Sequence, residues 1–90
     1  MNINKRLETL SDQQYNLLMF IAHYMWEHGY QPLQSEMGNH LGISSVGARH
    51  LLIKLELKGY VKRVNKKIHL VHIPGFPYAR QIAEKMEQVA

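Results

Sequence analysis

The stretch from Gly42 to Gly59 restricts the possible folds more than any other part of this chain. Between the two glycines, four apolar residues recur at the spacing of a helix that buries one side. They are Ala48, Leu51, Leu52 and Leu55. The opposite side carries the basic residues together with two aliphatic ones: Val46, Arg49, His50, Ile53 and Lys54. The pattern predicts a helix over 45–57 with one buried side and a basic outer side.

A basic hairpin is predicted directly after this helix. Residues 60–64 and 68–73 are rich in β-branched and aromatic side chains, and the segment between them places a turn near Asn65. The turn lacks an Asn-Gly pair, so the sequence leaves its type open. A helix with a basic outer side that leads into a basic hairpin is typical of a winged helix-turn-helix domain that reads DNA.

The first helix of the chain has clear start and stop signals. Ser11 can cap its N-terminus and Gln14 can complete a capping box with it. Gly29 supplies a C-terminal stop, so the helix should end at about His28.

A shorter helix is predicted over 33–41, after a connector that contains Pro32. Gly42 ends it. Ser44 is the natural N-cap of the third helix, with Ser45 as the neighbouring alternative.

The first helix carries more apolar surface than a helix at the edge of a small domain needs. Its main stripe belongs in the core: Leu17, Leu18, Ile21, Tyr24 and Met25. A second stripe must be covered by something else: Tyr15, Met19, Ala22 and Trp26.

Residues 76–90 offer a possible cover, because they place apolar residues on one stripe of a final amphipathic helix: Ala79, Ile82, Ala83, Met86 and Val89. We therefore divide the chain into a domain at 1–75 and a C-terminal helix at 76–90. This helix is expected to pack on the first one, either as a brace within one chain or between two chains of a homodimer.

Charge is concentrated in the predicted third helix and hairpin. Residues 45–70 hold seven Lys and Arg against one Glu, a net charge of +6, whereas the whole chain carries +4. Such a concentration indicates a polyanion as partner, since neutralised phosphates release counterions. A solvated basic surface is the alternative.

Several other classes of protein are not supported by the sequence. No apolar run is long enough to span a bilayer, no signal peptide is present, and the absence of Cys fits a reducing cytoplasm. The six His do not form natural chelating pairs, and no nucleophile lies in a recognisable catalytic setting. We expect no metal, cofactor, small-molecule ligand, membrane contact or enzymatic activity.

The candidate DNA contacts divide into two groups. On the third helix, Arg49 could fork onto guanine or clamp a phosphate, and Val46 and Ile53 could meet thymine methyl groups or be partly buried. His50 is a base-edge candidate or an ordinary exposed His. Gly47 would permit close backbone approach or mark a frayed first turn.

On the hairpin, four cations are expected to grip phosphate or the adjacent minor groove: Lys62, Arg63, Lys66 and Lys67. Lys54 and Lys58 are either contacts or solvent charges.

Residues 10–71 resemble the N-terminal DNA-binding domain of LexA-type repressors. The segments that carry the resemblance are LSDQQYNLLMFI, GYQPLQSEMGNHLGIS and ARHLLIKLELKGYV. The resemblance implies a three-helix core with a two-stranded wing and sequence-specific binding of double-stranded DNA, commonly as a dimer on a two-fold site. By position, it places Ser44 and Ser45 at the start of the recognition helix. It turns five residues towards the major groove: Val46, Gly47, Arg49, His50 and Ile53.

Two departures from the LexA-type pattern limit what the resemblance implies. Leu33 stands where the family usually has Thr or Ser at the start of the second helix. The chain also ends where a LexA-type protein would continue into its self-cleaving Ser/Lys peptidase domain, so autoproteolysis is not expected.

The sequence therefore predicts an α+β, mainly helical, winged helix-turn-helix domain with a two-stranded wing and an extra C-terminal helix. Its expected role is that of a cytoplasmic transcriptional regulator, a repressor, that binds double-stranded DNA. The alternative is a winged-helix module that docks on another protein, since this fold does not oblige DNA binding. RNA binding is less favoured because the basic side lacks an aromatic stacking platform.

Overall fold

Three helices precede a two-stranded antiparallel sheet in the computed structural model, which describes residues 9–74. The elements are α1 (Asp12–His28), α2 (Gln34–Leu41), α3 (Ser45–Leu57), β1 (Val61–Val64) and β2 (Lys67–Leu70). This order confirms the predicted α+β winged-helix architecture for the described residues. The predicted C-terminal helix at 76–90 lies outside them.

The ends of α1 follow the predicted capping pattern. The Ser11 hydroxyl accepts a hydrogen bond from the Gln14 amide (3.2 Å), and the Gln14 side chain accepts one from the Ser11 amide (3.0 Å). At the other end, Gly29 adopts a left-handed conformation with φ of 81°, which a residue with a Cβ rarely adopts.

The start of α2 has no side-chain cap, and a carboxylate of its first turn binds the backbone of the N-cap residue. Leu33 occupies the N-cap position, and its backbone N–H donates to Glu36 Oε1 at 2.7 Å. The other carboxylate oxygen accepts a hydrogen bond from the Tyr24 hydroxyl of α1 at 3.3 Å. Desolvation and the neighbouring Glu36 carboxylate raise the pKa of Tyr24, so this phenol remains a donor at neutral pH. Glu36 thus ties the N-cap residue to the first turn of α2 and also joins α2 to α1, whereas no side chain supplies the cap that Thr or Ser would give.

The hydrophobic core lies where α1 packs against α2 and α3, and the hairpin covers one end of it. Leu17, Leu18 and Ile21 of α1 are fully buried there, together with Ala48 and Leu55 of α3.

The second apolar stripe of α1 is covered largely by the domain itself. Ala22 is fully buried, and Met19 and Trp26 are half-buried against the core. Tyr15 keeps 42% of its surface exposed. The expected surplus is therefore smaller than the sequence pattern indicates, because α1 packs against two helices and not one.

The strands are shorter than predicted, particularly β2, which ends at Leu70 and not at Ile73. Past Leu70, the amides of Val71 and His72 both donate to the Tyr60 carbonyl, at 3.0 and 3.2 Å. A regular ladder pairs each amide with its own carbonyl, so a carbonyl that accepts from two amides marks the end of the ladder.

Within residues 9–74, no helix combines the length and apolar character needed to cross a bilayer.

The turn between α2 and α3 depends on a glycine inside α2. The Ile43 amide donates to the Gly38 carbonyl at 2.9 Å. A Cβ at Gly38 would lie 2.7 Å from the Ile43 carbonyl oxygen and 2.9 Å from that of Ser44. The two helices can approach this closely only because position 38 has no side chain.

We predict that Gly38→Ala destabilises the domain by about 1–3 kcal/mol, as overpacking against backbone does, although Ala is the better helix former. Gly47→Ala is the matched control, because a Cβ there would meet only side-chain atoms, the nearest at 3.4 Å. Urea unfolding of both variants measures the difference. Equal stability of the two variants would contradict this role for Gly38.

Candidate nucleic-acid interface

The N-terminus of α3 is fixed by Ser44. Its hydroxyl accepts a hydrogen bond from the Gly47 amide at 3.0 Å, which makes Ser44 the N-cap and Ser45 the first helical residue. This hydrogen bond satisfies one of the amides that a helix start leaves without an internal partner.

The two sides of α3 are divided as the sequence pattern predicts. Ala48, Leu52 and Leu55 are buried, whereas Leu51 is half-buried against the core. On the other side, four residues are exposed, Val46, Arg49, His50 and Lys54, and Ile53 is half-buried. Val46 keeps 60% of its surface exposed. The outer side of α3 is therefore accessible along its first three turns.

The hairpin turns through two residues, Asn65 and Lys66, which have φ of 52° and 69°. Positive φ at both central positions is characteristic of a type I′ turn, and this answers the question that the sequence left open. Val64 pairs with Lys67 on either side of the turn.

This register separates the hairpin cations onto two faces. Val61 and Ile68 are buried, so they define the inner face. Arg63 lies directly across from Ile68, and it therefore shares that face. Lys62 and Lys67 alternate with these residues and lie exposed on the outer face.

An ion pair joins the inner face of the hairpin to α3. The Arg63 guanidinium donates to Glu56 Oε1 through Nε at 3.1 Å and through Nη2 at 3.0 Å. Both side chains keep some exposure, 27% and 34%, so the pair contributes modestly to stability. This pair was not predicted from the sequence, although Glu56 is the one acidic residue in the basic segment 45–70.

Three cations line a groove between α3, the hairpin and the start of α2. We call it the α3–wing groove. Its lining includes Arg49 from α3, Arg63 and Lys66 from the hairpin, and Leu33 and Gln34 at the start of α2. The groove has a volume of about 540 Å³. The structure thus brings together Arg49, Arg63 and Lys66, whereas Lys62 and Lys67 face another direction.

A side chain from the connector between α1 and α2 touches the hairpin. Gln31 Nε2 donates to the Lys66 carbonyl at 3.0 Å, and Gln31 Oε1 accepts from the Ile68 amide at 2.7 Å. The sequence pattern predicted only a connector here. A single polar residue 35 positions from its partner leaves no signal in local sequence patterns.

Lys58 has a structural position instead of a place in the groove. Its ammonium group donates to the Thr9 carbonyl at 2.8 Å and to Gln14 Oε1 at 2.7 Å. The side chain therefore holds the segment before α1 against the end of α3.

The histidines near α1 take part in ring contacts. His40 stacks on Phe20 with ring centroids 4.2 Å apart, and His28 lies 4.2 Å from Tyr24. Within residues 9–74, no three side chains of the types His, Asp or Glu come together in a way that could hold a metal ion.

Three helices, with the third exposed beside an antiparallel hairpin, define a winged helix domain. Comparison with known families gives the particular one, because residues 7–68 match the family model described as the LexA DNA binding domain. The chain belongs to this family.

Individual relatives agree with the family match. The LexA repressor of Finegoldia magna is 35% identical over 75 residues, which is 82% of this chain and 36% of that protein. The LexA repressor of Geotalea uraniireducens is 40% identical over 58 residues, 63% of this chain and 29% of the relative. That of Thermotoga maritima is 34% identical over 67 residues, 74% of this chain and 34% of the relative. The chain thus spans about a third of the length of these relatives.

We predict that Ser44→Ala lowers the free energy of unfolding by about 1 kcal/mol, because the Gly47 amide then loses its acceptor. Ser45→Ala is the matched control, since Ser45 is exposed and lies one residue inside the helix. Chemical unfolding of the two variants gives the comparison. A larger loss for Ser45→Ala would show that the helix begins one residue later.

Proposed function

We propose that this domain binds double-stranded DNA and acts in transcriptional repression, with α3 in the major groove and the wing on the phosphate backbone. The observation that carries the proposal is the convergence of Arg49, Arg63 and Lys66 on one groove beside an exposed helix. Such an arrangement matches the electrostatic footprint of a duplex. Membership of the LexA DNA-binding domain family supports the same partner.

Sequence would be read from the outer side of α3. Arg49 is the proposed base reader, since Arg can form two hydrogen bonds to the major-groove edge of guanine. Val46 can contact thymine methyl groups. Ile53 can contribute to such contacts only through the part of its side chain that is exposed. His50 is a second polar candidate, and Ser44 and Ser45 lie at the end of α3 that enters the groove first.

Gly47 fits the same proposal. A Cβ at this position would find ordinary space beside Ile43 and Ser44, so packing within the domain does not require glycine. Close approach of the DNA backbone or of a base edge is a reason for its presence.

Affinity would come mainly from the wing. Lys66 lies at the tip of the hairpin and lines the α3–wing groove, which makes it the first choice for a phosphate contact. Arg63 can contribute as well, although its ion pair with Glu56 competes with phosphate. Lys62, Lys67 and Lys54 would contact flanking phosphates or add to the attractive field.

Selection of bound sequences from a random duplex pool tests the proposal most widely, because it reports binding, preferred sequence and symmetry together. Recovery of a common motif is expected. Failure to enrich any sequence, together with elution from a DNA column at low salt, would contradict the proposal. Capture of a protein partner that persists after nuclease treatment would then favour the docking alternative.

Arg49→Ala and Lys66→Ala should have different effects on DNA binding. Loss of a guanine contact should cost about 1–3 kcal/mol on the selected site and relax the preference at one position. Loss of a phosphate contact should weaken all sequences alike and reduce the salt slope by about 1. Fluorescence titrations with the selected and a scrambled duplex at several salt concentrations measure both. Equal losses for Arg49→Ala on the two duplexes would contradict its role as a base reader.

We also propose a homodimer, in which residues 76–90 pack on the exposed part of α1 around Tyr15. The amphipathic stripe of this segment and the remaining exposure of Tyr15 support it. Sedimentation of the full chain should give a mass that rises with concentration towards two chains. Ile82→Glu should keep the chain monomeric, because a charge would enter the apolar contact. A monomer at every concentration for both proteins would contradict the dimer.

A further inference from the structure

We infer that Gln31 is a positioning residue that holds the wing tip beside α3, so that Lys66 meets the DNA backbone while α3 occupies the major groove. This inference rests on the proposed function and adds to it a residue outside both DNA-contacting elements. Gln31 is half-buried in the connector between α1 and α2, and it lines the α3–wing groove next to Lys66.

The register of the hairpin leaves backbone groups at the open edge of β2. Val64 and Lys67 flank a two-residue turn, and in such a turn the flanking pair exchanges hydrogen bonds across the strands. The next pair, Arg63 and Ile68, is then a pair without mutual hydrogen bonds. Its backbone groups point away from the partner strand, so the Ile68 amide faces this edge.

Gln31 supplies the hydrogen-bond partners that the backbone of a third strand would supply at this edge. Its Oε1 accepts the Ile68 amide at 2.7 Å, and its Nε2 donates to the Lys66 carbonyl at 3.0 Å. One primary amide group thus satisfies a donor and an acceptor two residues apart on the hairpin. Two hydrogen bonds from one planar group also fix the orientation of the hairpin relative to the connector, whereas a single hydrogen bond would not.

The position of the Lys66 carbonyl matters because Lys66 itself has φ of 69°. A lysine rarely adopts this left-handed conformation, and the turn has no glycine that would adopt it freely. The hydrogen bond to the Lys66 carbonyl holds the residue in this conformation, in which Lys66 lines the groove with Arg49.

The connector is itself rigid enough to serve as an anchor. Pro32 follows Gln31, and its side chain is fully buried. Since Pro restricts the backbone and burial fixes its ring, the Gln31 amide starts from a defined position. The wing is therefore held by the α1–α2 connector as well as by α3.

The test combines Gln31→Met, which keeps the length of the side chain but removes both hydrogen bonds, with Lys66→Ala. The matched control is Gln13→Met, a glutamine exposed on α1. Binding to one selected duplex is measured over a range of salt for the full chain and for each single and double variant. Thermal unfolding without DNA checks that every variant is folded.

In the unaltered chain, Lys66→Ala should reduce the salt slope by about 0.9, the value for one phosphate contact. In the Gln31→Met background, the reduction in salt slope caused by Lys66→Ala should be less than half of that value. The affinity of the double variant should lie within about twofold of that of Gln31→Met alone. The Gln13→Met background should keep the full change. A glutamine that only stabilises the fold would leave the effect of Lys66→Ala unaltered in all backgrounds.

Amide hydrogen exchange of the free protein gives an independent readout. Exchange at Ile68 should be about fivefold faster in Gln31→Met than in the unaltered chain. Gln31→Glu, which retains an acceptor for this amide, should preserve its protection.

The outcomes separate the inference from the proposed function. If the chain binds duplex DNA and Lys66→Ala has the same effect in the unaltered chain as in the Gln31→Met variant, the inference is wrong and the proposed function stands. If the unaltered chain binds no duplex, the proposed function fails and the inference fails with it. Loss of the Lys66 effect only in the Gln31→Met background supports both.

Discussion

The hairpin packs beside α3, and this packing sets the geometry of the α3–wing groove. Val61 and Ile68 bury one face of the hairpin in the core, and this burial supplies most of the free energy of docking, since apolar area removed from water is the dominant favourable contribution. Apolar packing has little directional preference. The orientation of the hairpin is fixed by polar contacts, from Gln31 at the open edge of β2 and from the pair of Glu56 and Arg63 between α3 and the inner face.

This docking also creates an electrostatic problem that a polyanion would relieve. Arg49, Arg63 and Lys66 line one groove, and Glu56 is paired with only one of them. Like charges brought together without counterions repel each other, although salt screens them at the surface. A phosphate backbone placed along the groove would remove this repulsion and release the ions that otherwise accumulate there. The same charges that oppose folding therefore favour binding.

Much of the fold could be predicted because its signals are local. The caps at Ser11 and Ser44, the glycine stops and the buried stripe of α3 depend on residues within one or two turns of each other. The strand lengths could not be predicted in the same way, because the end of β2 depends on the Tyr60 carbonyl across the hairpin.

For the candidate site, the sequence indicated the basic segment but not how its cations divide. Their division between two faces depends on the strand register, and the register depends on the type of turn. The sequence did not indicate that turn type, because it has no Asn-Gly pair there. The contacts of Gln31 and of Glu56 are tertiary and leave no periodic pattern. Local patterns therefore indicate the elements that form the surface, whereas tertiary contacts determine which side chains share it.

We propose that α3 and the wing tip form one surface that meets a single duplex. Amide chemical-shift mapping by NMR during titration with a selected duplex is the sharpest test of this surface. We expect the amide signals of the first turns of α3 and of the turn at Asn65 and Lys66 to shift together, along one binding curve. Shifts confined to α3, or centred on Phe20 and His40 on the α1–α2 side, would contradict it.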